Sequence, residues 1–141
     1  MFLNNSFGKT LDLLHRSMDV EVLRHEVLAN NMANVNTDHF KRSDLAFESR
    51  LKAALDSENP AGKFPSHRPE MDKADFAKQV IDYRTVKPKK VLDFASVSKN
   101  NGNNVDPEVE ASLVLHNQLM YQLATQAVNS HFNQLKMVLR G

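Results

Sequence analysis

The chain contains no cysteine, and its 141 residues include only four glycines and five prolines. Without cysteine there is no disulfide scaffold, no thiolate-ligated zinc or iron–sulfur site and no cysteine nucleophile. Four dispersed glycines (Gly8, Gly62, Gly102 and Gly141) cannot cradle a phosphate, and no GxSxG, P-loop or GxGxxG run occurs. Net charge is small, 18 Lys+Arg against 17 Asp+Glu. That balance argues against a nucleic-acid binder working by broad phosphate neutralisation. No apolar run approaches the ~18 residues of a membrane span, and no positive charge precedes Lys9. The expectation is no transmembrane segment and no cleavable leader.

Asparagine is abundant instead, at 14 positions. A chain short of glycine must turn with another residue, and asparagine is the next best at positive φ. Hydrophobic residues at 41% and charged residues at 25% mark a chain that folds. The length suits one domain, with or without extended arms.

Hydropathy patterning divides the chain into residues 1–36, 37–105 and 106–141. In the first zone, Leu11, Leu14, Met18, Val22, Ala29, Met32 and Val35 recur at three- and four-residue steps, the stripe of an amphipathic helix. Val20, Leu23 and Val27 fall on nearly the opposite side. In the last zone, Asp106 is placed to cap a helix, Pro107 suits its first position, and Glu108 and Glu110 favour its first turn. Lys136 and Arg140 favour its end. Val109, Leu113, Met120, Ala124, Ala127, Val128, Leu135 and Val138 form a broad apolar side there, with Leu115, Leu119 and Met137 on the far side. Two long helices with apolar residues on more than one face are hard to satisfy inside one small monomer.

The middle zone carries weaker signals. Residues 43–57 fit a short amphipathic helix with Phe47, Leu51, Ala54 and Leu55 on one side, followed by a loop marked by Pro60, Gly62, Pro65 and Pro69. Residues 79–86 and 91–97 are rich in β-branched and aromatic side chains and flank Lys87-Pro88-Lys89-Lys90, a pattern predicting a β-hairpin. The Lys87, Lys89 and Lys90 cluster fits a solvated turn better than an anion-binding patch. The fold class expected is mainly α: long terminal helices paired as an antiparallel coiled coil, with a short helix, loop and β-hairpin between them.

Catalytic or metal chemistry finds little support. His25-Glu26 begins an HExxH pattern, but Ala29 stands where the second ligand is needed. Glu21 and His25 share a helix face as a surface hydrogen-bonding pair would. His116 and His131, about four turns apart, cannot share one metal. No catalytic residue, cofactor, metal or small-molecule substrate is expected.

The most distinctive stretch is LANNMANVNTDHFK. Asn30, Asn31, Asn34 and Asn36 sit at the end of the first helix, where amides can bond freed carbonyls and asparagine can adopt a left-handed cap. A cap needs one or two such residues; the surplus suits polar contacts with a neighbouring chain. The stretch resembles the N-terminal signature of the flagellar rod, hook and hook-associated family, close to L-A-N-N-x-A-N-x-N-T-x-G-[FY]-K. Leu28, Ala29, Asn30, Asn31, Ala33, Asn34, Asn36, Thr37, Phe40 and Lys41 match it in order. Asp38-His39 stands where the family usually has Pro-Gly, and both residues tolerate unusual φ better than most. Chain length and the NNGNNVD segment are most similar to the proximal-rod members.

The resemblance implies a non-catalytic, torque-transmitting subunit of the rod of the bacterial flagellar basal body, in the periplasm. It also implies export in an unfolded state by the flagellar export apparatus, without signal cleavage. The partners implied are other rod subunits, a FliE-type rod adaptor protein and the MS ring. Within the chain, Leu11, Leu14, Met18, Val22, Met32 and Val35 are expected to meet Leu113, Met120, Ala124, Ala127, Leu135 and Val138 in the helix seam. Val20, Leu23, Val27, Leu115, Leu119 and Met137 are the apolar candidates for intersubunit contact, and Asn30, Asn31, Asn34 and Asn36 the polar ones. The alternative is a soluble helical binding or chaperone-like module sheathing an amphipathic partner helix.

Overall fold

The computed structural model describes residues 6–58, 80–96 and 100–140. Helix α1 spans Ser6–Ala33, strand β1 Ser43–Ala46, helix α2 Glu48–Glu58, strand β2 Lys89–Leu92 and helix α3 Pro107–Arg140, with a single 3-10 turn at Tyr83–Thr85. The mainly helical fold expected from the sequence is present, with the two long helices near the chain ends packed on each other.

Local chemistry accounts for the helix limits. No proline or glycine interrupts α1 after Gly8. At the start of α3, the Asp106 carboxylate accepts from the Glu108 amide at 3.0 Å, and Pro107 needs no amide partner there. Glu108 and Glu110 lie in the first turn and Arg140 in the last, each sign at its favourable end of the helix dipole.

The β element is present, but its strands differ from those expected. β1 and β2 pair in a two-stranded antiparallel sheet, extended by the Asp93 amide donating to the Arg42 carbonyl at 2.9 Å. Lys89 and Lys90, expected in the turn, are strand residues, and residues 80–86 hold the 3-10 turn instead of a strand. The reason is local competition. The Asp82 side chain accepts from the Arg84 amide at 2.8 Å, while its carbonyl takes both the Thr85 amide and hydroxyl. Such short-range bonds give the backbone an alternative to a ladder. The loop expected around Pro60, Pro65 and Pro69 lies outside the described residues.

The chain forms two compact units, residues 1–45 with 91–141, and residues 46–90. In the smaller unit, α2 meets the 3-10 turn, and Phe47, Ala54, Tyr83 and Val86 are buried. Arg50 donates to the Lys87 carbonyl at 3.2 Å, and the Ser57 hydroxyl accepts from the Ile81 amide at 2.9 Å. The larger unit is the helix pair, with Val20, Leu28, Val105 and Ala124 among its buried apolar side chains.

Candidate functional site

Two of the three buried residues of α3 are polar. The three are Glu110, Asn117 and Ala124, each seven positions from the next. On α1 the buried residues are Gly8, Val20, Glu21, Leu28 and Asn31. Three contacts define an antiparallel pair: Asn31 with Glu110, Glu21 with Asn117, and the Phe7 ring edge-on to His131 at 5.5 Å between centroids.

The polar contacts are fully engaged. Asn31 and Glu110 are both 0% exposed. The Asn31 amide donates to the Ser43 carbonyl at 2.8 Å and to Glu110 Oε2 at 3.1 Å, and its oxygen accepts from the Ser43 amide at 2.9 Å. The other Glu110 oxygen accepts from Arg42 Nε at 2.8 Å. Arg42 also reaches Asp93, while Asn104 accepts from the Arg42 amide at 2.7 Å and donates to the Asp93 carbonyl at 2.7 Å. Burial works to lower the Arg42 pKa, but the hydrogen bond and charge of Glu110, helped by Asp93 and Asp44, raise it above its ordinary value. The Asp93 carboxyl is held down at about 2, chiefly by the Ser96 hydroxyl and amide, with the Ala95 amide and Arg42 adding to them. Further along the seam, Asn117 donates to the Glu21 carbonyl at 3.0 Å and to the Glu21 carboxylate, which also pairs with Arg24 at 3.0 Å.

The signature turn is held by a second asparagine cluster. Asn34 donates from its side chain to the Asn30 carbonyl at 2.8 Å, capping the end of α1, and accepts from the Thr37 hydroxyl at 3.2 Å. Asn103 Nδ2 is shared among the carbonyls of Asn34, Val35 and Thr37, at 2.9, 3.1 and 2.8 Å. His39 takes φ +59°, the left-handed conformation that the family pattern assigns to glycine, and its amide donates to the Asn101 carbonyl at 3.0 Å. Lys41 donates to the Gly102 carbonyl at 2.8 Å.

Several sequence expectations are corrected by this geometry. Val20 is 4% exposed and belongs to the chain's own interior, whereas Val22 is 48% exposed and leaves the seam; the two sit on opposite sides of α1. Leu113, Met120, Leu135 and Val138 are exposed rather than seated in the seam. The apolar period finds Ala124 but not Glu110 and Asn117, because it weights only hydrophobic positions. Leu11, Leu14, Met18, Met32, Val35 and Ala127 are half-buried, as is Val27, and Ala124 is buried. Leu23, Leu115, Leu119 and Met137 are exposed. Asn31 is occupied entirely within the chain and is unavailable to a neighbour, while Asn30 and Asn36 remain exposed. Glu21 faces the seam and His25 faces solvent, so they do not form the surface pair expected. Glu110, Asn117, Arg42, Asn103 and Asn104 were not legible as contact residues. The available signal was the seven-residue spacing of Glu110, Asn117 and Ala124 along α3.

The outer faces of α3 are apolar and in water. Leu115, Leu119, Leu123, Phe132, Met137, Val138 and Leu139 are all exposed, Val138 at 79%. Every residue from 132 to 140 is exposed. Patches of this kind mark protein or membrane contacts, and no described helix is long and apolar enough to cross a membrane. Among the described residues no group of three or more His, Cys, Asp or Glu could hold a metal ion.

No known family model matches the chain. Curated relatives do. It is 38% identical over 138 residues to the flagellar basal body rod protein FlgB of Borreliella burgdorferi, covering 96% of this chain and 99% of that protein. It is 37% identical over 136 residues to FlgB of Borrelia hermsii, with the same coverage, and 27% identical over 135 residues to FlgB of Bacillus subtilis, covering 96% of each.

Proposed function

As a member of the FlgB family of flagellar basal body rod proteins, the chain is a structural subunit of the rod, and we propose that it joins the rod through the apolar faces its helix pair leaves in water. The observation that carries this reading is the inversion of the usual order. The seam between α1 and α3 buries two glutamates and two asparagines, Glu21, Asn31, Glu110 and Asn117, while Leu115, Leu119, Leu123, Phe132 and Met137 lie outside. A monomer built to stand alone would place those side chains the other way round. Burial of the outer faces in an assembly supplies the missing hydrophobic stabilisation, at about 25 cal/mol per Å² of apolar surface.

The neighbours proposed are other rod subunits, the FliE-type adaptor and the MS ring, with arrival as an unfolded substrate of the flagellar export apparatus. The role is non-catalytic: the helix pair bears load and passes torque to its neighbours by side-chain packing. The exposed amides of Asn30 and Asn36 are the polar candidates at the same interfaces. The rod-protein relatives favour this reading over a helical binding module.

Two measurements test it. Electron microscopy of purified basal bodies carrying a labelled copy of the chain should show the label in the rod; a label confined to the cytoplasm would contradict the proposal. Leu23→Asp or Leu119→Asp, at exposed positions, should abolish or strongly reduce incorporation while leaving the chain soluble and helical. Normal incorporation of both variants would defeat the argument from the outer faces.

A further inference from the structure

We infer that the buried pairs Asn31–Glu110 and Glu21–Asn117 are a register device, fixing a single antiparallel alignment of α1 and α3. Both sides of the seam repeat every seven residues: Glu21 and Leu28, and Arg24 and Asn31, on α1, and Glu110, Asn117 and Ala124 on α3. A seam of that period can slip by one repeat, about 10 Å along the axis, and still bring like positions together. The exposed apolar side chains outside the seam do not oppose the slip, because they face water in either alignment.

The polar pairs do oppose it, in both directions. A slip that advances α3 one way sets Glu110 against Glu21, two carboxylates in a buried seam. The opposite slip sets Asn117 beside Asn31 and leaves Glu21 facing Ala124, which has no donor to offer. In that arrangement Arg42 also loses the carboxylate it holds at 2.8 Å. Only the observed alignment gives each buried carboxylate a donor from the other helix, Asn31 for Glu110 and Asn117 for Glu21. Buried polar and charged pairs are poor sources of stability compared with apolar packing, and specifying register is their best-attested use. The consequence for assembly rests on the rod reading: a slipped pair would displace the outer apolar faces by one repeat relative to every neighbour. The register claim stands without it and is tested on the free chain.

The absence of cysteine makes the test direct, since introduced thiols are the only ones present. Phe7→Cys with His131→Cys reports the observed alignment, because those side chains are in contact. Phe7→Cys with Val138→Cys, or with Ala124→Cys, reports a slip of one repeat in either direction. With a short bis-thiol linker at high dilution, the otherwise unaltered chain should cross-link only through the 7–131 pair. In the background Glu21→Leu, Asn31→Leu, Glu110→Leu and Asn117→Leu, helicity should persist while the 7–131 product loses its predominance and a slipped product forms. Retention of 7–131 as the sole product in a helical quadruple variant would overturn the inference. Should that variant lose its helical circular dichroism signal, Glu21→Leu with Asn117→Leu decides the question by the same products. A slipped product supports the device, and an unchanged 7–131 pattern overturns it.

Discussion

At the scale of single residues, His39 and Gly102 are a coupled pair. His39 sits at φ +59°, where L-residues pay a steric cost of about 1–2 kcal/mol, and the turn still forms because neighbouring bonds over-determine it. Gly102 sits at φ +75°, and a Cβ built there would lie 2.7 Å from His39 Nδ1. Gly102→Ala is therefore expected to destabilise the helical unit by more than about 1 kcal/mol, measured by urea or thermal unfolding. His39→Gly should relieve both the backbone strain and the side-chain clash. The Gly102→Ala cost should thus be smaller in a His39→Gly background, and strict additivity in that double-mutant cycle would show the contact to be without effect. The sequence made this legible only in part. The departure from Pro-Gly at Asp38-His39 marks the turn as unusual, but nothing in it reveals that the partner is a glycine more than sixty residues away.

At the scale of elements, the helix limits were legible because caps and breakers are local: Asp106, Pro107 and the asparagines after Ala33 do what their side-chain chemistry predicts. The strand partners were not. Pairing Ser43–Ala46 with Lys89–Leu92 is a non-local choice, set by Asn31 holding Ser43 and by the Asp82 turn withdrawing residues 82–85 from extended structure. The seam escaped for a related reason. Glu110 and Asn117 read as solvent residues until the opposite helix supplies their donors. Just after β2, Asp93 ties Arg42 to the loop at Ala95 and Ser96, and its lowered pKa gives that junction an acid dependence. A carboxyl depressed from 3.8 to about 2 in the folded chain contributes stability that is present above pH 3.8 and lost as pH falls through 2. Thermal melting between pH 2 and 5 should therefore show a shallower acid decline in Asp93→Asn than in the parent. Equal slopes would mean that Asp93 titrates alike in the folded and unfolded chain.

At the scale of the whole molecule, the chain is a subunit rather than a finished globule. Its helix pair is locked near the end of α1 and the start of α3, where Asn31 and Arg42 hold Glu110 and Asn103 holds the turn after α1. Away from that lock, α3 ends in residues 132–140, all exposed and including Phe132, Met137, Val138 and Leu139. The surplus apolar faces were readable from sequence periodicity, and the family signature gave them a purpose. Which residues point inward required the structure, because Glu21, Asn31, Glu110 and Asn117 share the seam with Val20, Leu28 and Ala124, while long apolar side chains of α3 stay outside. Local stability should follow the same gradient, greatest beside the lock and least at the far end of α3. Amide hydrogen exchange of residues 132–140, compared between the free chain and purified basal bodies, tests most directly whether assembly covers the end of α3. Rapid exchange in the free chain and strong protection in the assembled rod is the result predicted; equal protection in both states would contradict it.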